Sequence, residues 1–379
     1  MKFGWRHTIS GAIGVGIVCW LGLVVSAAGQ TAPAPAEGVQ MSENFFKNIQ
    51  VLKGIPVDEF MDAMGMFSSS LGYDCASCHA SGTDRSRFAV TTPAITRARG
   101  MIAMVNNINR MYFGGQPRVT CFTCHRTTYK PDAIPSLEAQ YAALTDDPNA
   151  MTILADKRTT VDQVFDKYMT ALGGADRAAR LTSYVAKGTY AGFNTGGGEV
   201  PVEIYAKAPD QRAQISRLPD SDNVKIFDGR SGWAAEGWRP MPLLEFTGGN
   251  LSGMKVDAMV AFPAGIQKAF SQWQVGSALI DDKGVQVLQG TRPGELPVNF
   301  YFDDTGLLVR QVRWNKTSVG TVPTQIDYSD YRDVAGVKVP FKLLMTWTDG
   351  QNSFSLTEVR PNVAIEASRF AKPAPFQRK

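Results

Sequence analysis

Apolar and polar residues follow two different periods along this chain, and the change falls near residue 181. Beyond it, apolar residues alternate with polar ones over short runs separated by Gly, Asp and Asn, which predicts a large antiparallel sheet. The sequence DDTG at Asp303–Gly306 is its clearest hairpin turn. With helical interruptions near residues 251–271, residues 158–379 are predicted to form an α+β domain with a strongly curved sheet, or half-barrel.

Three helices are predicted ahead of this sheet. The first starts after Pro56, and its apolar residues recur at helical spacing, namely Phe60, Met64, Phe67 and Leu71. The second has a cap at Thr92 and ends at Gly114–Gly115, and the third follows a T-x-x-Q capping box at Thr160. Residues 136–157 contain Pro and Ala and predict a linker, so residues 42–135 are predicted to form a separate, small, mainly α domain.

The composition supports a multidomain globular protein. At 379 residues, 44% hydrophobic and 20% charged, the chain is long and apolar enough to bury more than one core. The formal net charge is only +4, and two of the basic residues lie close to the N-terminus. This balance gives no electrostatic support for a nucleic-acid partner.

The N-terminal segment has the pattern of an export signal. Lys2 and Arg6 precede an uncharged run, Thr8–Gly29, and small residues favour cleavage near Ala28, so residues 1–28 are predicted to be a signal peptide. The uncharged run has 22 residues and could also span a bilayer, so an uncleaved anchor is the alternative. The signal peptide and the uncleaved anchor both predict an exported protein. It would be free in the periplasm in the first case and anchored to the inner membrane in the second.

Four of the five cysteines and two of the three histidines occur in two copies of one pattern, C-x-x-C-H. This is the attachment pattern of c-type haem, in which two thiols one turn apart bond to the porphyrin and the following imidazole binds the iron. We therefore expect the domain of residues 42–135 to bind two haems, as covalently bound haem c groups. The predicted thioether residues are Cys75, Cys78, Cys121 and Cys124, and the predicted proximal iron ligands are His79 and His125.

A zinc site or disulfides are the alternatives for these cysteines. Zinc ribbons place ~15–20 residues between their cysteine pairs, whereas 42 residues separate Cys78 from Cys121. Neither alternative explains why a histidine follows each pair. The haem interpretation is therefore favoured.

The second axial ligand of each iron is predicted to be methionine, because the remaining histidine, His7, lies in the signal segment. Met64 lies in the middle of the apolar face of the first helix, eleven residues before Cys75. The second helix offers three candidates on one stripe, Met101, Met104 and Met111. A methionine stripe at helical spacing is also typical of core packing, so the choice among the three is open at this stage.

Residues 45–135, which include VLKGIPVDEFMDAM, ARGMIAM, VNNIN and both C-x-x-C-H motifs, resemble the cytochrome c subunit of the photosynthetic reaction centre. The resemblance implies haem units built from a methionine-bearing helix, a turn and C-x-x-C-H, and it selects Met64 and Met101 as distal ligands. The best-known members of that family carry four haems, whereas this chain has two motifs. The resemblance implies electron transfer, with redox proteins as donor and acceptor, among them a membrane complex such as a reaction centre.

The predicted sheet domain is similar to periplasmic lipoprotein-carrier-like folds. Its strands contain many aromatic residues, which indicate either ordinary sheet packing or a cavity for an apolar ligand such as a lipid or quinone. No catalytic constellation is evident, so the chain is predicted to be an electron-transfer protein rather than an enzyme. The alternative function is a protein that binds an apolar ligand or senses redox state, with the haems as reporter.

Overall fold

A computed structural model describes residues 39–82, 84–134, 151–153, 159–219, 221–237 and 239–377. The predicted signal segment, residues 1–28, and most of the predicted linker, residues 136–157, lie outside this part of the chain. The described residues all fall within one compact unit, Glu37–Lys379.

The helices of the described residues include the three that the sequence predicts. Thr92 caps its helix by accepting a hydrogen bond from the backbone of Ile95 at 3.2 Å, and Thr160 forms the expected capping box with Gln163. The α-helices are α1 (Ser42–Phe45), α2 (Val57–Leu71), α3 (Cys75–Cys78), α4 (Pro93–Tyr112), α5 (Cys121–His125), α6 (Val161–Leu172), α7 (Ala175–Arg180) and α8 (Gly248–Met259). Short 3₁₀ helices span Arg85–Ala89, Phe193–Thr195, Pro263–Gly265, Gln267–Ala269 and Ala367–Phe370.

The strands of the described residues form one antiparallel sheet of 14 strands, in the order β1-β8-β9-β10-β11-β12-β13-β14-β2-β3-β4-β5-β6-β7. The predicted DDTG turn connects β10 to β11, and Gly306 takes the positive φ of 92° that such a turn requires. The strands are β1 (Thr152–Ile153), β2 (Ser183–Gly192), β3 (Val200–Lys207), β4 (Gln211–Arg217), β5 (Asp222–Phe227), β6 (Gly232–Ala235), β7 (Leu244–Phe246), β8 (Gln272–Ile280), β9 (Lys283–Thr291), β10 (Val298–Phe302), β11 (Leu308–Thr317), β12 (Gly320–Val334), β13 (Val337–Trp347) and β14 (Gly350–Pro361).

The core of this β domain lies between the sheet and helices α6 and α8. Alternate residues of β3, Val202, Ile204 and Ala206, are buried, as the period-two pattern predicts. The largest apolar cluster joins Phe165 of α6 and Met259 of α8 to side chains of the sheet. The chain is therefore a small helical region followed by an α+β domain with a large antiparallel sheet, and the predicted fold class is confirmed.

Helix α2 packs directly on the β domain. Val57 belongs to an apolar cluster that includes Leu244 of β7, and Met66 belongs to another that includes Val322 of β12. The approach is close at Gly65, where a Cβ atom would meet Oγ1 of Thr348 at 2.6 Å. The β domain thus fixes the position of the helix that carries Met64.

Candidate haem-binding sites

The first C-x-x-C-H motif forms the short helix α3 and is held at both ends. Asp74 caps the helix, and its carboxylate accepts a 2.9 Å hydrogen bond from the backbone of Ser77. Cys75 and Cys78 are three residues apart, so their thiols lie on the same side of the helix. The hydroxyl of Thr92, the cap of α4, donates to the carbonyl of Cys78 at 2.6 Å, which connects the motif to α4.

The second motif forms α5 and is attached to both long helices. Thr120 supplies the capping box. Asn109 of α4, only 6% exposed, donates to the carbonyl of Val119 at 2.7 Å and accepts from its backbone N–H at 2.9 Å. After the motif, the backbone of Thr127 donates to the carbonyl of Ser70 in α2 at 2.9 Å. The structural importance of Asn109 is not visible in the sequence, because nothing in the local pattern separates it from the other polar residues of α4.

The four motif cysteines are free thiols that form no disulfide with one another: Cys75, Cys78, Cys121 and Cys124. Burial raises the pKa of Cys75, Cys78 and Cys121, so these groups are protonated thiols at neutral pH. Two pairs of thiols, each on one helical turn, are the donor set that two thioether-linked porphyrins require.

The two motif histidines, His79 and His125, differ in the partners of their Nδ1 atoms. Nδ1 of His125 lies 3.1 Å from the carbonyl of Thr128, and with the proton on Nδ1 this bond leaves Nε2 free to bind iron. Nδ1 of His79 is buried and has no partner at hydrogen-bonding geometry among the described residues. Burial lowers the pKa of His79, and this effect is larger than the opposing effect of the backbone of Phe88. The imidazole is therefore neutral at pH 7. The neutral form is the one that binds a metal.

Helix α2 carries three methionines that differ in their surroundings. Met66 is 6% exposed and packs with Val322 in a core cluster, and Met61 packs against the cluster of Val57 and Leu244. Met64 is partly exposed and belongs to none of the apolar clusters among the described residues.

The three methionines of α4 that the sequence singles out are all exposed, Met101 at 46%, Met104 at 45% and Met111 at 63%. They belong to a larger group, since nine of the ten exposed large apolar side chains among the described residues lie between residues 90 and 134. A soluble protein rarely leaves so much apolar surface uncovered unless a ligand or partner covers it. The thiols, the imidazoles and this apolar surface together fit two haem groups.

Two carboxylates near the start of α2, those of Asp58 and Asp62, face the β domain, and the sequence did not predict this role for them. Asp58 is 2% exposed and accepts hydrogen bonds from the backbone and hydroxyl of Thr247 at 2.7 and 2.8 Å. Asp62 accepts from Asn250 at 2.8 Å and from Asn315 at 2.6 Å. Burial raises the pKa of both carboxylates, that of Asp62 to about 6. The partners lie in the β domain, so no local pattern could have revealed them.

The β domain contains a cavity of about 100 Å³ between the sheet and helices α6 and α8. Its wall is mostly apolar and includes Leu181, Ile204, Met254 and Phe354.

Comparison with known proteins supports the assignment of the helical region. Residues 24–179 match the family described as "Photosynthetic reaction centre cytochrome C subunit". The N-terminal part of this chain is therefore similar in sequence to reaction-centre cytochrome c subunits. A photosynthetic reaction center cytochrome c subunit of Roseobacter denitrificans is 28% identical over 107 residues, which is 26% of this chain and 29% of the relative.

The region that matches the family contains both C-x-x-C-H motifs. The chain spans less than a third of the length of the curated relative. Within the described part of the chain, no helix combines the length and apolar character needed to cross a membrane.

Two solved structures are similar to a larger share of the chain. A LolA superfamily protein from Nitrosomonas europaea is 12% identical with a TM-score of 0.37, over 56% of this chain and 98% of that protein. A DUF1329 family protein from Desulfovibrio piger is 11% identical with a TM-score of 0.36, over 56% of this chain and 97% of that protein.

Proposed function

We propose that the protein is a dihaem c-type cytochrome that transfers single electrons in the periplasm or at the membrane. The observation that carries the proposal is the doubled motif, with four free thiols on two capped helices and a histidine at the end of each. The first haem would be held by Cys75, Cys78 and His79. The second would be held by Cys121, Cys124 and His125. Haem c supplies a one-electron couple, and the protein sets its potential through the axial ligands and the surroundings.

Met64 is proposed as the distal ligand of the first haem. The other two methionines of α2 are occupied in apolar clusters, whereas Met64 is not. A thioether ligand raises the reduction potential, which suits electron transfer. The family resemblance independently favours the same residue.

Met101 is proposed as the distal ligand of the second haem. It lies four residues before Val105, so it borders the buried face of α4, which consists of Ile102, Val105 and Asn109. Met111 is more exposed, at 63% against 46% for Met101. The family resemblance supports Met101 over Met104 and Met111.

The partners are proposed to be a redox protein that donates the electron and another that accepts it, with a membrane complex such as a reaction centre as one candidate. The protein is proposed to be exported, with residues 1–28 either cleaved or retained as an anchor. The proposed functional division remains residues 42–135 for haem binding, 136–157 as linker and 158–379 as the β domain.

A second candidate function is favoured by the apolar cavity of the β domain. In this case the protein would bind an apolar ligand, and the haems would report or respond to redox state. Isolation of the native protein followed by lipid and quinone analysis distinguishes the two. A stoichiometric co-purifying lipid or quinone supports the second function, and its absence from protein with both haems supports the first.

The dihaem proposal is tested by intact mass after co-expression with the cytochrome c maturation machinery. We expect the mass of the polypeptide plus two haems. The variant Cys121→Ala/Cys124→Ala should retain one haem, and so should Cys75→Ala/Cys78→Ala. A mass equal to the bare polypeptide, or to the polypeptide with zinc, would refute the proposal.

A further inference from the structure

The cavity of the β domain has an uneven charge distribution. Its lining includes three cationic side chains, Arg212, Lys225 and Lys338, but only one carboxylate, that of Asp257. Lys338 is exposed, so the cavity reaches the protein surface beside it. Arg212 and Lys225 are partly buried farther inside.

Arg212, Gln214 and Lys225 form a polar patch on β4 and β5 of the sheet. Arg212 and Gln214 are two residues apart on β4 and therefore point to the same face. Lys225 on β5 is the direct cross-strand partner of Gln214, and Phe227 is the partner of Arg212. Side chains paired in this way are ~5 Å apart at their Cβ atoms, close enough to contact one small group together.

The carboxylate of Asp257 is already fully engaged by other residues. Its Oδ1 accepts from Nε of Arg313 at 3.1 Å and from Nε2 of Gln311 at 2.9 Å, and its Oδ2 accepts from a terminal nitrogen of Arg313 at 2.9 Å. Asp257 therefore forms its ion pair with Arg313, and it acts on Lys225 only through a longer-range attraction that partly offsets the effect of burial on the pKa of Lys225.

Arg212 and Lys225 have no carboxylate within ion-pair distance among the described residues. The ammonium group of Lys225 lies 5.3 Å above the ring of Phe246 instead. Burial lowers the pKa of Lys225 to about 8, so the group still carries its charge at pH 7. Two partly buried cations that lack an ion-pair partner lower the stability of the folded state, and a bound anion would offset this loss.

We propose that this cavity binds a single-chain amphiphile with a carboxylate head group. The carboxylate would accept hydrogen bonds from the fork of Arg212, from the amide of Gln214 and from Lys225. A cavity of about 100 Å³ holds the head group and the first few carbons, next to Ile204 and Phe354. The remainder of the chain would leave past Lys338. The proposal rests on the β domain alone and is independent of the haem assignment.

The test compares octanoate with 1-octanol by isothermal titration calorimetry on the full-length protein at pH 7. The two ligands have the same chain and differ in the charge of the head group. We expect octanoate to bind at least tenfold more tightly than 1-octanol, and acetate to bind far more weakly than octanoate. Equal affinities for octanoate and 1-octanol, or no binding of octanoate, would overturn the proposal.

Substitutions of the cavity cations test whether octanoate binds in this cavity. Arg212→Gln/Lys225→Met should weaken octanoate binding at least tenfold and leave 1-octanol binding within a factor of two. The matched control, Lys187→Met/Arg230→Gln, removes two exposed cations of the same domain and should leave both affinities unchanged. Thermal unfolding and haem content should match wild type in both variants. Octanoate binding that survives the first variant, or falls equally in the control, would refute the assignment.

Discussion

The carboxylate of Asp62, two residues before Met64, accepts a 2.6 Å hydrogen bond from Asn315, which lies 253 residues later in the chain on β11. Asn250, in the first turn of α8, donates to the same carboxylate at 2.8 Å. The helix that carries the proposed distal ligand of the first haem is therefore held by the β domain. The large sheet is therefore in direct contact with the helix that carries Met64.

Removal of one of these donors should destabilise the protein and disturb the first haem. In Asn315→Ala we expect a loss of ~1–3 kcal/mol in the free energy of unfolding, because the carboxylate of Asp62 loses its shortest bond. Urea unfolding measures this change. The exposed side chain of Gln351, which donates to Thr346 at 2.9 Å, provides the control. Its replacement by Ala should cost less than ~0.5 kcal/mol. Equal losses in both variants would contradict the importance of the interface.

The pKa of Asp62 predicts a pH-dependent stability. Burial raises this pKa from its ordinary value of 3.8 to about 6, so the folded state binds the proton more tightly than the unfolded state. The contribution of Asp62 to stability is therefore greatest below pH 3.8 and is lost as the pH rises through 6. The loss should reach about 3 kcal/mol at pH 7, because each tenfold difference in proton affinity between the folded and unfolded states is worth ~1.4 kcal/mol.

The variant Asp62→Asn isolates this effect because asparagine does not titrate. The free energy of unfolding is measured for wild type and Asp62→Asn between pH 4 and pH 7.5. The difference between the two proteins should change steadily up to about pH 6 and then stay constant. A difference that does not depend on pH would show that Asp62 titrates near its ordinary value.

The distal ligands are tested separately for each haem. Methionine bound to ferric haem gives a near-infrared charge-transfer band, and Met64→Ala and Met101→Ala should each remove about half of it. Each substitution should also lower one of the two reduction potentials, because the thioether favours ferrous iron. Met104→Ala and Met111→Ala should leave the band unchanged. If Met111→Ala removes half of the band and Met101→Ala does not, the second ligand is Met111.

The proposed linker predicts where the chain can be cut. Limited proteolysis should cleave between residues 135 and 158, and cleavage elsewhere should be slower. The two fragments should stay together in gel filtration, because Asp58 and Asp62 are bonded to residues of the β domain. Fragments that separate without denaturant would show that this interface is too weak to hold α2.

Most of the proposed haem chemistry rests on local sequence. A thioether-linked haem requires two thiols and an imidazole within five consecutive residues, so both motifs are visible without any knowledge of the fold. The caps at Thr92 and Thr160 were equally predictable, since each cap satisfies backbone groups only a few residues away. The alternation in β3 predicted which of its side chains are buried.

The sequence by itself determined the two C-x-x-C-H motifs, the helices that precede them and the antiparallel sheet, because each depends on residues close together in the chain. Only the tertiary structure decided which methionines are occupied in apolar clusters, why α2 carries buried carboxylates, and which cations share the cavity. Asp62 meets Asn315 across 253 residues, and Arg212 joins Lys225 only after β4 pairs with β5. Such contacts depend on how distant segments pack together, and the spacing of apolar and polar residues in the local sequence does not reveal this packing.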